Sequence, residues 1–159
     1  MVGNRSGRVL QLGEGKGFRF ALGNRGEVKA DGSTGLRFGL MHTILPVGTG
    51  MPFLHVHRSL DEAFQILSGD VEYRLRDAYF IARGGATVLV PAGVPHCFRA
   101  VSGAGAAVLL IASPADGIDM IIELSRSGLG DPEQMAAILA RYDTELLERH
   151  PHWPRAATS

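Results

Sequence analysis

Cysteine is nearly missing from this 159-residue chain: the lone Cys97 cannot form an internal disulfide. The fold must therefore rest on buried side chains, and the length suffices for one domain with a substantial core. Net charge is missing too. Sixteen basic and sixteen acidic side chains cancel to a formal charge of zero, without the clustered positive field that nucleic acid or an anionic membrane would need. No apolar run approaches the roughly 20 residues of a transmembrane helix. No positively charged leader with an apolar run and cleavage site opens the sequence. These absences point to a single cytoplasmic domain whose partner is a small molecule, with no nucleic acid and no membrane.

Glycine is plentiful, at 21 residues, and falls mostly between short segments of alternating polarity. That is how many strands joined by tight turns read. Strands are expected over 8–12, 18–22, 27–30, 36–45, 53–58, 63–67, 71–76, 79–82, 87–90, 96–101 and 106–112. Such a series predicts a closed or sandwiched all-β body, with its barrel core over about 30–113.

After Pro114 the apolar period changes from two to about 3.6. Ile118, Ile121, Ile122 and Ser125 mark one face of a short helix ending near Gly128. Asp131 then caps a second helix, with Pro132 first and Gln134 in capping-box position. Met135, Ile138, Leu139, Tyr142 and Leu146 form its stripe, expected to pack on the barrel or on a partner subunit. The C-terminal helical segment is placed at 115–149.

The chemistry concentrates in one stretch. His55-Val56-His57 is followed by Glu62 and Gly69, and downstream by Pro91-Ala92-Gly93-Val94-Pro95-His96. On a strand, His55 and His57 project to one face and Val56 to the other, while Glu62 shares its face with Phe64 and Ile66. A later strand, entered through the Pro91–Gly93 turn, would add His96. Three imidazoles and a carboxylate buried without a metal would be costly, and a metal turns that cost into a site. Imidazole suits zinc, copper, iron and nickel, and the carboxylate favours Fe(II) or Mn(II). Parity favours Glu62 over Asp61 as the carboxylate ligand. Met41, Phe53, Phe64, Ile66 and Phe98 are the inward-facing candidates for an apolar pocket. Cys97 points away from the face of His96 and Phe98 and reads as an inert thiol. His42, His150 and His152 lack partners at ligand spacing.

These motifs resemble the cupin superfamily, whose first motif reads G-x5-H-x-H-x3or4-E-x6-G and whose second reads G-x5-P-x-G-x2-H-x3-N. The second is matched from Gly85 through Pro91, Gly93 and His96, with Ala100 in place of asparagine; Gly50 is one residue off in the first. The approach Pro46 to Pro52, the stretch Asp61-Glu62-Ala63-Phe64 and the pair Arg141-Tyr142 extend the likeness to small single-domain bacterial cupins described as quercetin-dioxygenase-like. The resemblance implies a double-stranded β-helix (jelly roll) with two C-terminal helices, and a metal held by His55, His57, Glu62 and His96. It also implies a dioxygenase acting on a small organic molecule, with Glu62 able to act as base. A metal-assisted isomerase or cyclase, and a non-catalytic ligand-binding module, remain open. Cupins commonly pair through the outer face of one sheet and an exchanged N-terminal strand, so a homodimer is implied, with Val9 to Leu12 as the exchanged segment.

Overall fold

The computed structural model describes residues 7–11, 13–20, 23–127 and 131–148. Alternating polarity has produced the strands. Glu62, Phe64 and Ile66 are buried while Asp61 is exposed and Ala63 and Gln65 are half-buried, the period of two expected when one face meets the core.

Among the described residues eleven strands make two antiparallel sheets. They are β1 (Lys16–Arg19), β2 (Arg25–Ala30), β3 (Gly39–Leu45), β4 (Gly50–His57), β5 (Asp61–Ser68), β6 (Asp70–Leu75), β7 (Ala78–Arg83), β8 (Thr87–Val90), β9 (His96–Ala100), β10 (Ala106–Ser113) and β11 (Thr144–Leu146). One sheet has the order β1-β2-β3-β10-β5-β8, the other β11-β4-β9-β6-β7. Sequential strands cross repeatedly between the sheets, as in a jelly roll. Helices α1 (Asp116–Ser127) and α2 (Pro132–Ala140) follow.

The turns rest on glycine where the backbone requires it. Gly69, between β5 and β6, has φ of 77°, and a Cβ there would stand 2.2 Å from the Gly105 carbonyl oxygen. Neither the dihedral nor the contact tolerates a side chain.

β1 and β2 extend the first sheet beyond β3. Three expectations need correction. Residues 8–11 are exposed and form no strand, and Leu12 lies outside the described residues. The buried face of α1 carries Gly117, Ile118, Met120 and Leu124, with Ile122 and Ser125 only half-buried. Finally, α2 ends at Ala140, so Leu146 belongs to β11 rather than to a helical stripe. The helix stops because Arg141 to Asp143 form a turn, with Asp143 at φ of 51°, leaving the chain free to pair with β4.

Candidate metal centre

Each proposed ligand is fixed by a strand whose register leaves little freedom. In the second sheet His55 of β4 lies directly across from His96 of β9. Glu62 comes from β5 in the opposite sheet, where it lies across from Val90 and Ala112. Thus the site bridges the two sheets. All four side chains are buried, and one potential ligand atom from each lies within 4.8 Å of the others.

Hydrogen bonds engage the same nitrogen, Nδ1, in all three rings. His55 Nδ1–H donates to the Phe53 carbonyl at 2.9 Å and His96 Nδ1–H to the Val94 carbonyl at 3.1 Å. The Thr144 hydroxyl donates to the Tyr142 carbonyl at 3.0 Å, so its oxygen accepts from His57 Nδ1–H at 2.7 Å. With every Nδ1 occupied as donor, each neutral ring presents an Nε2 lone pair to the centre. Glu62 Oε2 lies 3.1 Å from His57 Nε2 and 2.9 Å from His96 Nε2. Burial raises the Glu62 carboxyl, but the charge and hydrogen bonds that His57 and His96 supply in their protonated forms outweigh it and hold the group well below its ordinary range. Burial, reinforced by His96 and His57, pushes His55 well below the ordinary histidine range, so that ring is neutral.

A neutral imidazole and an ionised carboxylate are the forms in which these groups bind a cation. Lone pairs converging on a carboxylate repel unless a proton or a cation lies between them, and the donor set fits a divalent transition metal. The three Nδ1 bonds are the outer partners such a metal requires.

The centre opens onto a cavity of about 80 Å³. Met41, Phe64 and Phe98 line it as expected from parity. Phe53 and Ile66 do not; both are buried in the surrounding core, because parity selects a side of the sheet without selecting depth. Met120, Ile121 and Leu124 of α1 and Leu139 of α2 complete the wall. Ile121 and Leu139 belong to the helical stripes that the apolar spacing marks, whereas Met120 and Leu124 do not.

Thr144 carried no local signal. It reaches His57 because β11 pairs with β4, placing the two residues directly opposite. Asp61, set aside as a ligand, is exposed and accepts from the Ala92 N–H at 2.8 Å, bracing the turn before His96. Cys97 is buried, and burial pushes its thiol up to about 12. His42 is half-buried on the first sheet, and His150 and His152 lie outside the described residues.

A two-sheet antiparallel barrel holding a three-histidine, one-glutamate cluster defines a class, and known proteins of that class resemble this chain. Residues 41–112 match the Cupin domain family. This match and the likenesses that follow support a small cupin-superfamily protein. It is 35% identical over 94 residues to quercetin 2,3-dioxygenase of Bacillus subtilis, a stretch covering 57% of this chain and 27% of that enzyme. In fold it is similar to ectoine synthase from P. lautus (TM-score 0.62, 17% identity, 75% of this chain and 87% of that one). It is also similar to KdgF from Halomonas sp. (TM-score 0.60, 16% identity, 69% and 94%). A cupin sugar phosphate isomerase from Silicibacter pomeroyi aligns with TM-score 0.57 and 19% identity, covering 67% of this chain and 75% of that one.

Proposed function

We propose that this cupin is a metal-dependent dioxygenase acting on a small, largely apolar organic molecule that binds the centre through oxygen. The observation that supports this reading is the convergence of three oriented Nε2 atoms and one carboxylate on the wall of an apolar cavity. Structural metal sites are closed by their ligands, whereas this donor set faces a space that admits another molecule. Fe(II) or Mn(II), with zinc, nickel or copper as alternatives, would supply a Lewis-acidic centre with positions left for substrate. His55, His57 and His96 hold that ion. Glu62, ionised and flanked by two rings, completes the donor set and is the group placed to take a proton from an enolic or phenolic hydroxyl. Met41, Phe64, Phe98 and the helical side chains exclude water and orient the substrate's apolar body.

The likeness to a quercetin dioxygenase supports oxygen chemistry over the alternatives, although the aligned stretch spans only about a quarter of that enzyme. Isomerisation of a phosphorylated sugar has less support. Among the described residues lining the cavity none is lysine or arginine, so a phosphate would lack a counter-charge. Oxygen uptake by the iron-loaded protein with catechols and β-diketones tests the reading. Substrate-dependent uptake that Glu62→Gln lowers by at least ~100-fold supports it. Silence across the panel with iron bound contradicts it and leaves the isomerase or the binding module.

We also propose a homodimer. On the outer face of the first sheet Leu89, Ala63, Ile111 and Leu40 lie in one cross-strand row, and Leu89 is 68% exposed. That face would ordinarily be polar. A dimeric mass by light scattering that Leu89→Glu converts to monomer supports the pairing; a monomeric wild type rules it out.

A further inference from the structure

The cavity holds a hydroxyl that the protein leaves unsatisfied. Among the described residues three buried side-chain polar atoms have no hydrogen-bond partner: Asn24 Oδ1, Thr43 Oγ1 and Tyr73 OH. Of these residues only Thr43 lines the cavity, where it is 8% exposed. An unpaired buried hydroxyl is unfavourable, and valine would fill the same volume without it. The hydroxyl therefore has no evident structural use at that position.

Sheet register shows where Thr43 stands relative to the centre. Glu62 on β5 lies across from Ala112 on β10. Thr43 on β3 lies across from Val108, four residues along the same strand. Between these two rows runs a third, Met41–Leu110–Phe64, and all three of its side chains line the cavity. Thr43 is thus two strands and two side-chain rows from Glu62, at spacings of roughly 4.8 Å per strand and 3.4 Å per residue. Along the cavity the metal-ligating groups are followed by an apolar row and then by a lone hydroxyl, with Leu45 one row beyond it.

We infer that Thr43 is a specificity-determining residue that hydrogen-bonds the end of the substrate remote from the metal-binding oxygens. This deepens the proposed function and rests on it. The substrate class that fits is a compact, uncharged molecule with a chelating oxygen pair at one end, an apolar body about one side-chain row long, and a single carbonyl or hydroxyl at the other. Hydrogen-bonding sites of this kind reject analogues lacking the matching group more strongly than apolar pockets reject extra bulk.

Matched catechols test the assignment on protein loaded with zinc, which binds without turnover. 4-Acetylcatechol and 4-ethylcatechol, together with 4-(3-oxobutyl)catechol and 4-butylcatechol, differ mainly at the remote group. In calorimetry the wild type should prefer at least one ketone over its alkyl partner by ~10-fold or more, Thr43→Ser should retain that preference, and Thr43→Val should abolish it. Zinc affinity should be unchanged in both variants, and the melting temperature of Thr43→Val should equal or exceed that of the wild type. No ketone preference in the wild type, or an equal preference in wild type and Thr43→Val, overturns the role of Thr43 while leaving the proposed function standing. Failure of all four catechols to bind the zinc-loaded protein overturns the substrate reading together with this one.

Discussion

At the scale of single residues, the centre depends on three Nδ1–H bonds, two to backbone carbonyls and one to a side chain that can be replaced without touching a ligand. Thr144→Val should remove the acceptor that orients His57 and weaken metal binding by ~10- to 100-fold, whereas Thr144→Ser should keep it. Competition with a fluorescent chelator measures both, and equal affinity in the valine variant would refute the role of Thr144. A second expectation concerns Cys97. Its thiol, pushed up to about 12 by burial, should resist iodoacetamide at pH 8 in the folded protein and react on unfolding; rapid alkylation of the native state would contradict its burial. The four ligands were legible because a period-two strand forces His55 and His57 to one side and a P-x-G turn delivers His96. Thr144 was not, since its only tie to the site is a pairing with a residue 87 positions earlier. Thr43 was also missed: it shares Met41's parity, but a hydroxyl acquires meaning only once its surroundings leave it unpaired.

At the scale of elements, local pattern worked wherever one face of a strand meets the core and failed where tertiary pairing decides. β3, β5 and β10 follow their alternation closely, whereas β4 is buried on both sides from Phe53 to His57. Thr144–Leu146 continues the apolar spacing of α2, yet the turn at Arg141 to Asp143 redirects it to the free edge of β4. Asp31 provides a test of how a turn ties elements together. Its carboxylate accepts from the Ser33 N–H and pairs with Lys16 of β1, and the Lys16 contact, with help from Ser33, lowers its pKa. A depressed carboxylate stabilises the fold above its unfolded pKa, and that contribution disappears as pH falls through the folded value. Asp31→Asn should therefore cost ~1 kcal/mol at pH 7, about 3 °C in melting temperature. The gap from wild type should narrow as pH falls below the ordinary aspartate range and the wild-type carboxyl becomes protonated. A pH-independent gap would mean that packing, not charge, accounts for the loss.

At the scale of the whole molecule, the candidate ligands link the two sheets: three come from β4 and β9 and the fourth from β5. A bound ion therefore joins both layers, and its binding free energy adds to that of folding. With free metal at a thousand times its dissociation constant, the gain is about 4 kcal/mol, or roughly 10 °C in melting temperature, removable with chelator. The fold class followed from strand number and glycine punctuation, whereas the cavity did not. Its walls combine β3, β4, β5, β9 and β10 with α1 and α2, and their meeting is a property of packing that no spacing encodes. Metal content by elemental mass spectrometry, on protein purified without chelator and beside His96→Ala, tests the central claim most directly. The account predicts near-stoichiometric iron, manganese, zinc, nickel or copper in the wild type and its loss in the variant. A wild type that carries no metal and takes up none on reconstitution would contradict it.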